Sequence, residues 1–359
     1  MEKKSLLQWT MLMLSCASLS IGVIAGPLLA KFYFRRAGGN RAWLPAFLQT
    51  AGWPLLLIPI WISSCYNKKQ GCHFQTVHVT LKLFIASFGI GMLIGMDNTL
   101  YSWGLRYLPL STSAMVFATQ LGFNAVFGYL IVRQKFTPFS INAIILLTFG
   151  TSVLSFNGSS DRPEGVSQEH YVLGFILTAS AAGLYGLILP LIELTYRETS
   201  LQITYTLVME MQLIMSFSAS IVCTIGMVVY KDIPAMVREA NASQLGQGLY
   251  YTSLLACAVC WQLFFIGVFG VIFLSNSLLS GVIIAFYIPV NQMLAVFVYD
   301  DEFDSGKAMA MGLAFWGFVS YLYGEYRSYV TQVENHESSL SDSESASLRE
   351  DKPDEMDAV

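Results

Sequence analysis

Apolar residues run through this chain in blocks of about 20, separated by short polar clusters, and that spacing predicts membrane-crossing helices. At 1.5 Å per residue, a helix of about 20 residues crosses the roughly 30 Å hydrocarbon core of a bilayer. Ten spans can be drawn, at 6–30, 42–63, 79–105, 110–132, 138–156, 170–194, 203–229, 248–273, 276–298 and 306–326. The first follows Lys3-Lys4, but its apolar run is longer than a signal peptide requires and no clear cleavage site follows, so it is expected to be retained. Pro27, Pro59, Pro190 and Pro289 are expected to kink or end their helices. Between the seventh and eighth spans, Ile233, Met236, Val237 and Ala240 keep helical spacing, which suits a short helix lying along the membrane interface.

Composition strengthens this picture. Of 359 residues, 54% are hydrophobic and 12% charged, against about 25% charged in a soluble domain. Mean hydropathy is +0.54. The net charge of −4 comes mainly from the end of the chain, where Glu334, Glu337, Asp342, Glu344, Glu350, Asp351, Asp354, Glu355 and Asp357 outnumber Arg349 and Lys352. This Ser-rich acidic stretch, 328–359, is expected to be a disordered tail. Cys16, Cys223, Cys257 and Cys260 lie within apolar runs as small hydrophobes, and the Cys65–Cys72–His73 loop has no zinc-site spacing.

The chain also repeats itself. Pro27-Leu28-Leu29 with Tyr33 recurs as Pro190-Leu191-Ile192 with Tyr196. Gly104 and Leu108 recur as Gly270 and Leu274, and Ser113, Asn124 and Phe136 recur as Ser280, Asn291 and Phe303. A slowly drifting offset of this kind marks a duplicated unit. The expected units are a first five-helix repeat at 1–156 and a second at 157–327. Five is odd, so the second unit enters the membrane from the opposite side, an arrangement used by carriers with a midplane site. The fold class expected is therefore an all-α membrane protein of ten transmembrane helices in two inverted five-helix repeats.

Counting Lys and Arg near the membrane does not fix the orientation, with eight on one side and nine on the other. The basic Arg133–Lys135 loop, set against its acidic counterpart Asp300–Glu302, favours a cytosolic N-terminus. So do the sequons at Asn157 and Asn241, whereas the cluster from Lys31 to Arg41 argues the other way.

Intramembrane polar groups carry the candidate chemistry. Asp97 and Glu210 lie inside the third and seventh spans, where burial disfavours the charged carboxylate and suits a group that takes up and releases a proton. The alternative is a neutral carboxyl that joins helices beside Asn98 or Gln212. In the fourth span Ser113, Gln120 and Asn124 share one helical face, flanked by Phe117 and Phe127, and Ser280, Tyr287 and Asn291 repeat that spacing in the ninth. Amides and a phenol offer donors and acceptors without fixed charge, and an amide can pair two-pronged with a heterocycle edge. Tyr101, Trp103, Phe123 and Trp261 are candidates to stack on a flat ring. The competing role for the amides is interhelical hydrogen bonding. No Lys or Arg lies deep in any span, which disfavours a phosphorylated solute such as a nucleotide sugar. No phosphate loop, catalytic triad or metal cluster supports an enzyme.

One run is specific enough to suggest a family. Asp97-Asn98-Thr99-Leu100-Tyr101-Ser102-Trp103-Gly104-Leu105 leads through Tyr107-Leu108-Pro109 to Ala118-Thr119-Gln120-Leu121, Phe123-Asn124-Ala125 and Gln134-Lys135-Phe136-Thr137-Pro138. Together with Glu210-Met211-Gln212 and the stretch from Trp43 to Gly52, it resembles the plant purine permeases of the drug/metabolite transporter superfamily. The resemblance covers about residues 5 to 327. It implies ten helices, both termini cytosolic, and proton-coupled import of adenine-like bases, cytokinins or, in some members, alkaloids, most simply at the plasma membrane. It offers Asn98, Tyr101, Trp103, Thr119, Gln120, Asn124 and Gln212 for substrate, and Asp97 and Glu210 for proton coupling; Tyr287 and Asn291 come from the repeat. The expected partners are a heterocyclic solute, protons and the bilayer rather than a nucleic acid. The proton gradient stands in place of any cofactor or metal. A carrier of another heterocycle, such as an alkaloid or vitamin, and a non-transporting receptor or scaffold remain alternatives.

Overall fold

The computed structural model describes residues 6–36, 41, 43–69, 79–108, 113, 116–156, 167–199, 204–242, 246–299 and 305–350. Cys72, His73, Asn157 and Asp300–Glu302 fall outside these. Every regular element among the described residues is helical. They are α1 (Leu6–Arg36), α2 (Trp43–Thr50), a 3₁₀ turn (Trp53–Leu56), α3 (Leu57–Lys69), α4 (Leu81–Tyr107), α5 (Gln120–Val132), α6 (Pro138–Phe156), α7 (Gln168–Arg197), α8 (Tyr205–Val229), α9 (Asp232–Ala242), α10 (Gln247–Leu274), α11 (Ser277–Tyr299) and α12 (Ser305–Glu350).

Helices occupy each of the ten stretches marked from the sequence, with α2, the 3₁₀ turn and α3 sharing the second. Among the described residues, six stretches are long and apolar enough to cross a bilayer: Leu6–Ala30, Trp43–Ser63, Leu81–Tyr107, Gln168–Arg197, Tyr205–Val229 and Gln247–Leu274. Val116–Val132, Pro138–Gly150 and Ser277–Asn291 are shorter apolar helices. The helix expected between the seventh and eighth spans is α9, which buries Asp232, Ala235 and Ala240 while Ile233 and Val237 stay exposed.

The tail requires a correction. α12 continues as helix to Glu350, through most of the stretch expected to be unordered. No Gly or Pro lies between Gly324 and Pro353 to stop it, and its Glu, Ala, Leu and Arg residues favour helix.

Local chemistry sets several helix ends. Thr80, Ser167 and Thr204 cap α4, α7 and α8, each hydroxyl accepting a first-turn N–H at 3.3–3.4 Å. α5 ends on Arg133 and α8 is followed by Lys231, both left-handed with φ of 51° and 56°.

Prolines free carbonyls that other helices then satisfy. Pro54 has no N–H for the Thr50 carbonyl, and Ser220 Oγ donates to that oxygen at 3.1 Å. Pro27 likewise releases the Val23 carbonyl, and the Asn291 side-chain amide donates to it at 2.8 Å. A kink in one helix is thus tied to a polar residue far away in sequence.

Packing directions follow from which residues meet. Along α1 and α10, Leu19 faces Gly267 and Gly22 faces Phe264, while Gly26 faces Trp261 and Ser15 faces Gly270; the two helices are antiparallel. α4 and α7 are also antiparallel, with Gly104 against Thr178 and Tyr107 against Gly174. α6 and α12 are antiparallel too, with Gly324 against Phe139 and Gly150 against Ala310 and Leu313, and Asn142 Nδ2 donates to Ser320 Oγ at 3.0 Å. α4 and α8, by contrast, are parallel: Gly91 meets Met215 and Ser218, and four residues on Gly95 meets Ala219 and Val222. These directions are those of a chain that reverses at each successive span.

The neighbours form a matched set. α1 rests on α10 and α11, and α7 rests on α4 and α5, while α2 meets α8, α5 meets α11 and α6 meets α12. The largest apolar cluster joins α1, α4, α7, α8, α10 and α11 through residues such as Leu19, Ile94, Ile188, Met215, Val268 and Ile283. Ile58, Trp61, Ile145, Phe149, Ile225 and Phe315 are exposed on the outside, as a lipid-facing surface requires.

Candidate functional site

Within the bundle several buried polar side chains have no hydrogen-bond partner among the described residues. Asp97 on α4 is 3% exposed and its Oδ1 accepts no hydrogen bond. Neither polar atom of the Gln120 amide is bonded, and that residue is fully buried. Asn98 Nδ2, Ser113 Oγ, Ser280 Oγ and the Tyr185 hydroxyl are likewise buried without partners. A buried unpaired polar atom costs about 1–3 kcal/mol. Of these, the Tyr185 hydroxyl lies close to Asp97, and the two together make a candidate site for a polar guest.

Aromatic rings bound the group. Tyr101 lies one helical turn beyond Asp97, and its ring centroid is 4.7 Å from that of Phe117. Phe117 is in turn 5.7 Å from Tyr185 on α7. Asp97 lies within electrostatic reach of both phenols. Gly186, next to Tyr185, lets α5 come close, so that a Cβ there would press on Phe123, the Asn124 N–H and the Gln120 carbonyl. Asp97, Tyr101, Phe117 and Tyr185 therefore gather where α4 meets α7, while the backbone of α5 at Gln120 and Asn124 lies against Gly186 and the Asn124 side chain turns to α11.

The other sequence candidates fall in different places. Thr119 Oγ1 donates to the Val116 carbonyl at 2.6 Å, where the helix leading into α5 bends. Asn124 Nδ2 donates to the Ser277 carbonyl of α11 at 3.0 Å, while its Oδ1 stays unpaired. Asn291 spends its N–H₂ on Val23 and likewise keeps a bare Oδ1. The amides thus serve as interhelical links through nitrogen, and each keeps its carbonyl oxygen and a second N–H for another role. Tyr287 is half-buried and its ring lies 5.3 Å from Phe286.

Trp103 packs away from the Asp97 group. Its ring meets Tyr230 at 5.7 Å and Tyr107 at 6.5 Å, with Arg106 above it at 5.5 Å. That is the company of a membrane-interface aromatic.

Glu210 and Gln212 are buried on α8, and Gln212 Nε2 has no partner. The parallel register of α4 and α8 sets Glu210 opposite the first turn of α4. That is roughly 18 Å along the axis from Asp97, at 1.5 Å per residue. The two carboxyls therefore occupy different levels.

Two charged clusters sit at helix ends. Arg41 reaches Asp232 Oδ1 at 3.4 Å and Glu239 Oε1 at 3.7 Å, while Tyr33 and Tyr250 donate to Glu239 Oε2 at 2.8 and 3.3 Å. Burial raises the Asp232 carboxyl above its ordinary range, and the Arg41 guanidinium opposes that shift. The second cluster centres on Glu193, which accepts the Ser277 N–H at 2.8 Å and pairs with Arg197 at 2.5 Å. Arg197 also donates to the Val132 carbonyl at 2.7 Å.

Sequence reasoning missed Glu193, four residues before Arg197 at the end of a span, and Tyr185, one of 18 tyrosines within an apolar run. It named Phe117 only as a flank. The signal available for Tyr185 was the repeat, because it stands five residues before Pro190 where Gly22 stands five before Pro27.

An all-helical bundle with a lipid-facing exterior and an unpaired polar, aromatic-edged interior defines a multi-pass membrane transport protein. Comparisons with known proteins then narrow the class. The family described as purine nucleobase transmembrane transport matches residues 10–330. Purine permease 2 of Arabidopsis thaliana is 41% identical over 332 residues, 89% of this chain and 92% of that protein. Purine permease 3 of the same plant is 41% identical over 321 residues, covering 89% and 91%. Probable purine permease 11 is 36% identical, covering 90% and 84%. A solved crystal structure shares the fold with a TM-score of 0.60 at 13% identity, over 86% of this chain and 98% of that one. The chain belongs to the purine permease family, whose members are purine nucleobase transporters rather than enzymes.

Proposed function

We propose that this protein imports purine bases and their derivatives, adenine and cytokinins among them, together with protons. It crosses the plasma membrane ten times as two inverted five-helix repeats, with both termini in the cytosol.

Several matched contacts support the repeat. Gly104 meets the Thr178 hydroxyl, and its sequence counterpart Gly270 meets the Ser15 hydroxyl. Ser15 and Thr178 stand at equal distances before Pro27 and Pro190 and each donates to the carbonyl four residues back. Asn291 bonds the carbonyl four residues before Pro27, and Asn124 lies against Gly186, four residues before Pro190. Such pairing is expected when one folding unit occurs twice in opposite orientations.

The observation that carries the transport reading is the buried, unpaired Asp97 carboxyl oxygen near the middle of α4, with the unpaired Tyr185 hydroxyl and the Tyr101 and Phe117 rings close to it. Asp97, Asn98, Tyr101, Gln120 and the Asn124 oxygen are the substrate-facing residues, with Thr119, Gln212, Tyr287 and Asn291 supporting the cavity. Asp97 is favoured over Glu210 as the proton carrier because it sits near the middle of its helix, where a carboxyl communicates with both sides of the bilayer. The absence of a deep Lys or Arg favours neutral or weakly basic solutes.

The test is uptake of labelled adenine and trans-zeatin by a transport-deficient yeast at acidic and neutral external pH. Faster uptake at acidic pH supports the reading. Uptake of another heterocycle but neither of these places the protein among carriers of different ring solutes, and no uptake of any heterocycle by well-expressed protein favours a receptor.

A further inference from the structure

The α1–α10 and α4–α7 seams each join one helix from either half and are exchanged by the proposed repeat, yet their linings differ at the same positions. Three residues before Gly270 stands Gly267, and three before Gly104 stands Tyr101. Five before Pro27 stands Gly22, and five before Pro190 stands Tyr185. Seven before Gly270 is Leu263, and seven before Gly104 is Asp97.

On α1 and α10 the two glycines close the seam. A Cβ on Gly22 would strike the backbone of Phe264, and one on Gly267 would strike that of Leu19. On α4 and α7 two tyrosines and a carboxyl hold the same level. Tyr101 lies deep in the bundle yet keeps accessible surface, and so does Phe117 beside it. The Tyr185 hydroxyl and Asp97 Oδ1 face this level without partners.

We infer that the α4–α7 seam is the ring pocket of the carrier. Tyr101, Phe117 and Tyr185, packed on one another in series, form an aromatic wall on which a flat nitrogen heterocycle stacks, and Asp97 reads its edge. The inference rests on the transport reading above and locates the solute on one side of the axis between the halves, away from Asn291. A carboxylic acid presents a donor and an acceptor side by side, whereas a carboxylate presents acceptors only. A ring edge with an acceptor nitrogen next to an N–H donor matches the protonated form with two hydrogen bonds. Proton and solute therefore bind Asp97 together, and the proton leaves when the ring does.

The titratable groups near Asp97 are Tyr101 on α4 and Tyr185 on α7; on α8, Cys223 lies 4.0 Å from the Gly95 carbonyl, on a different face of α4 from Asp97. α2, which also packs on α4, brings none. Glu210 stands about three turns away.

The experiment measures labelled-adenine transport by Tyr185→Phe, Phe117→Leu and Asp97→Asn at matched membrane abundance in transport-deficient yeast. Tyr185→Phe keeps the ring and removes only a hydroxyl that bonds nothing in the protein, so it should fold. The expected result is a KM about tenfold higher with the maximal rate retained, and a similar rise for Phe117→Leu. Asn at position 97 keeps one donor and one acceptor without a releasable proton. Asp97→Asn should therefore exchange external for internal adenine at all pH values but lose accumulation against a gradient. The pocket is overturned if Tyr185→Phe and Phe117→Leu stay within twofold of the wild-type KM, or if Asp97→Asn keeps the wild-type pH profile. A wild-type chain that transports no heterocycle overturns the transport reading itself, and the pocket with it.

Discussion

The α1–α10 seam and the α4–α7 seam begin alike, each pinned by a glycine pressed against a hydroxyl, and then part company. Gly22 and Gly267 let the first close until backbones touch. Tyr101 and Tyr185 stop the second from doing so and leave a carboxyl between the helices. In a bilayer there is little hydrophobic drive between helices, and close van der Waals packing holds them together. The glycine seam thus supplies cohesion, while the tyrosine seam gives some of it up for polar surface. One seam serves as scaffold, and its counterpart is the one we propose as the site.

This contrast can be broken most severely at the closed seam. Gly22→Leu has no room against the Phe264 backbone and should remove about 3 kcal/mol or more of stability. Little folded protein would survive detergent extraction, as fluorescence-detected size exclusion would report. At the open seam, Asp97→Asn should abolish accumulation yet keep an extractable, folded protein. If it unfolds instead, the carboxyl is a structural link.

Asn291→Ala probes the axis between the seams. It strips the donor from the Val23 carbonyl freed by Pro27, and the unpaired oxygen should cost about 1–3 kcal/mol in a denaturation series. Asn291→Gln should recover little of that loss, because the longer side chain misplaces the amide. Tyr185→Phe should leave stability unchanged or raise it by about 1 kcal/mol, since it removes a buried unpaired hydroxyl. A loss of more than that would mean the hydroxyl has a structural partner. The smallest effect is expected at Gly89, where a new Cβ meets nothing within 4 Å. Gly89→Ala should stabilise α4 by about 0.5–1 kcal/mol.

The helices were legible because a bilayer demands long apolar runs, and those runs survive in the linear sequence even where prolines interrupt them. Pro27 could be seen as a kink, but its partner Asn291 lies on another helix, and no local pattern pairs them. Trp103 was expected at the site on its motif. Its place among Tyr230, Tyr107 and Arg106 follows instead from its depth near the end of α4, where indoles prefer the headgroup region. Tyr185 was unreadable in isolation and became visible only beside Gly22. The tail misled because composition speaks to whether a segment can bury surface, whereas the helix past Gly324 needs only a run without breakers.

Glu193 and Arg197 have a mechanical implication. Between them they clasp the last carbonyl of α5, the first amide of α11 and the end of α7, so these three tips separate only when the pair of Glu193 with half-exposed Arg197 and its two backbone bonds open. Any rocking that exposes the pocket first to one side and then to the other must carry the three as one lever, with its fulcrum at a single carboxylate.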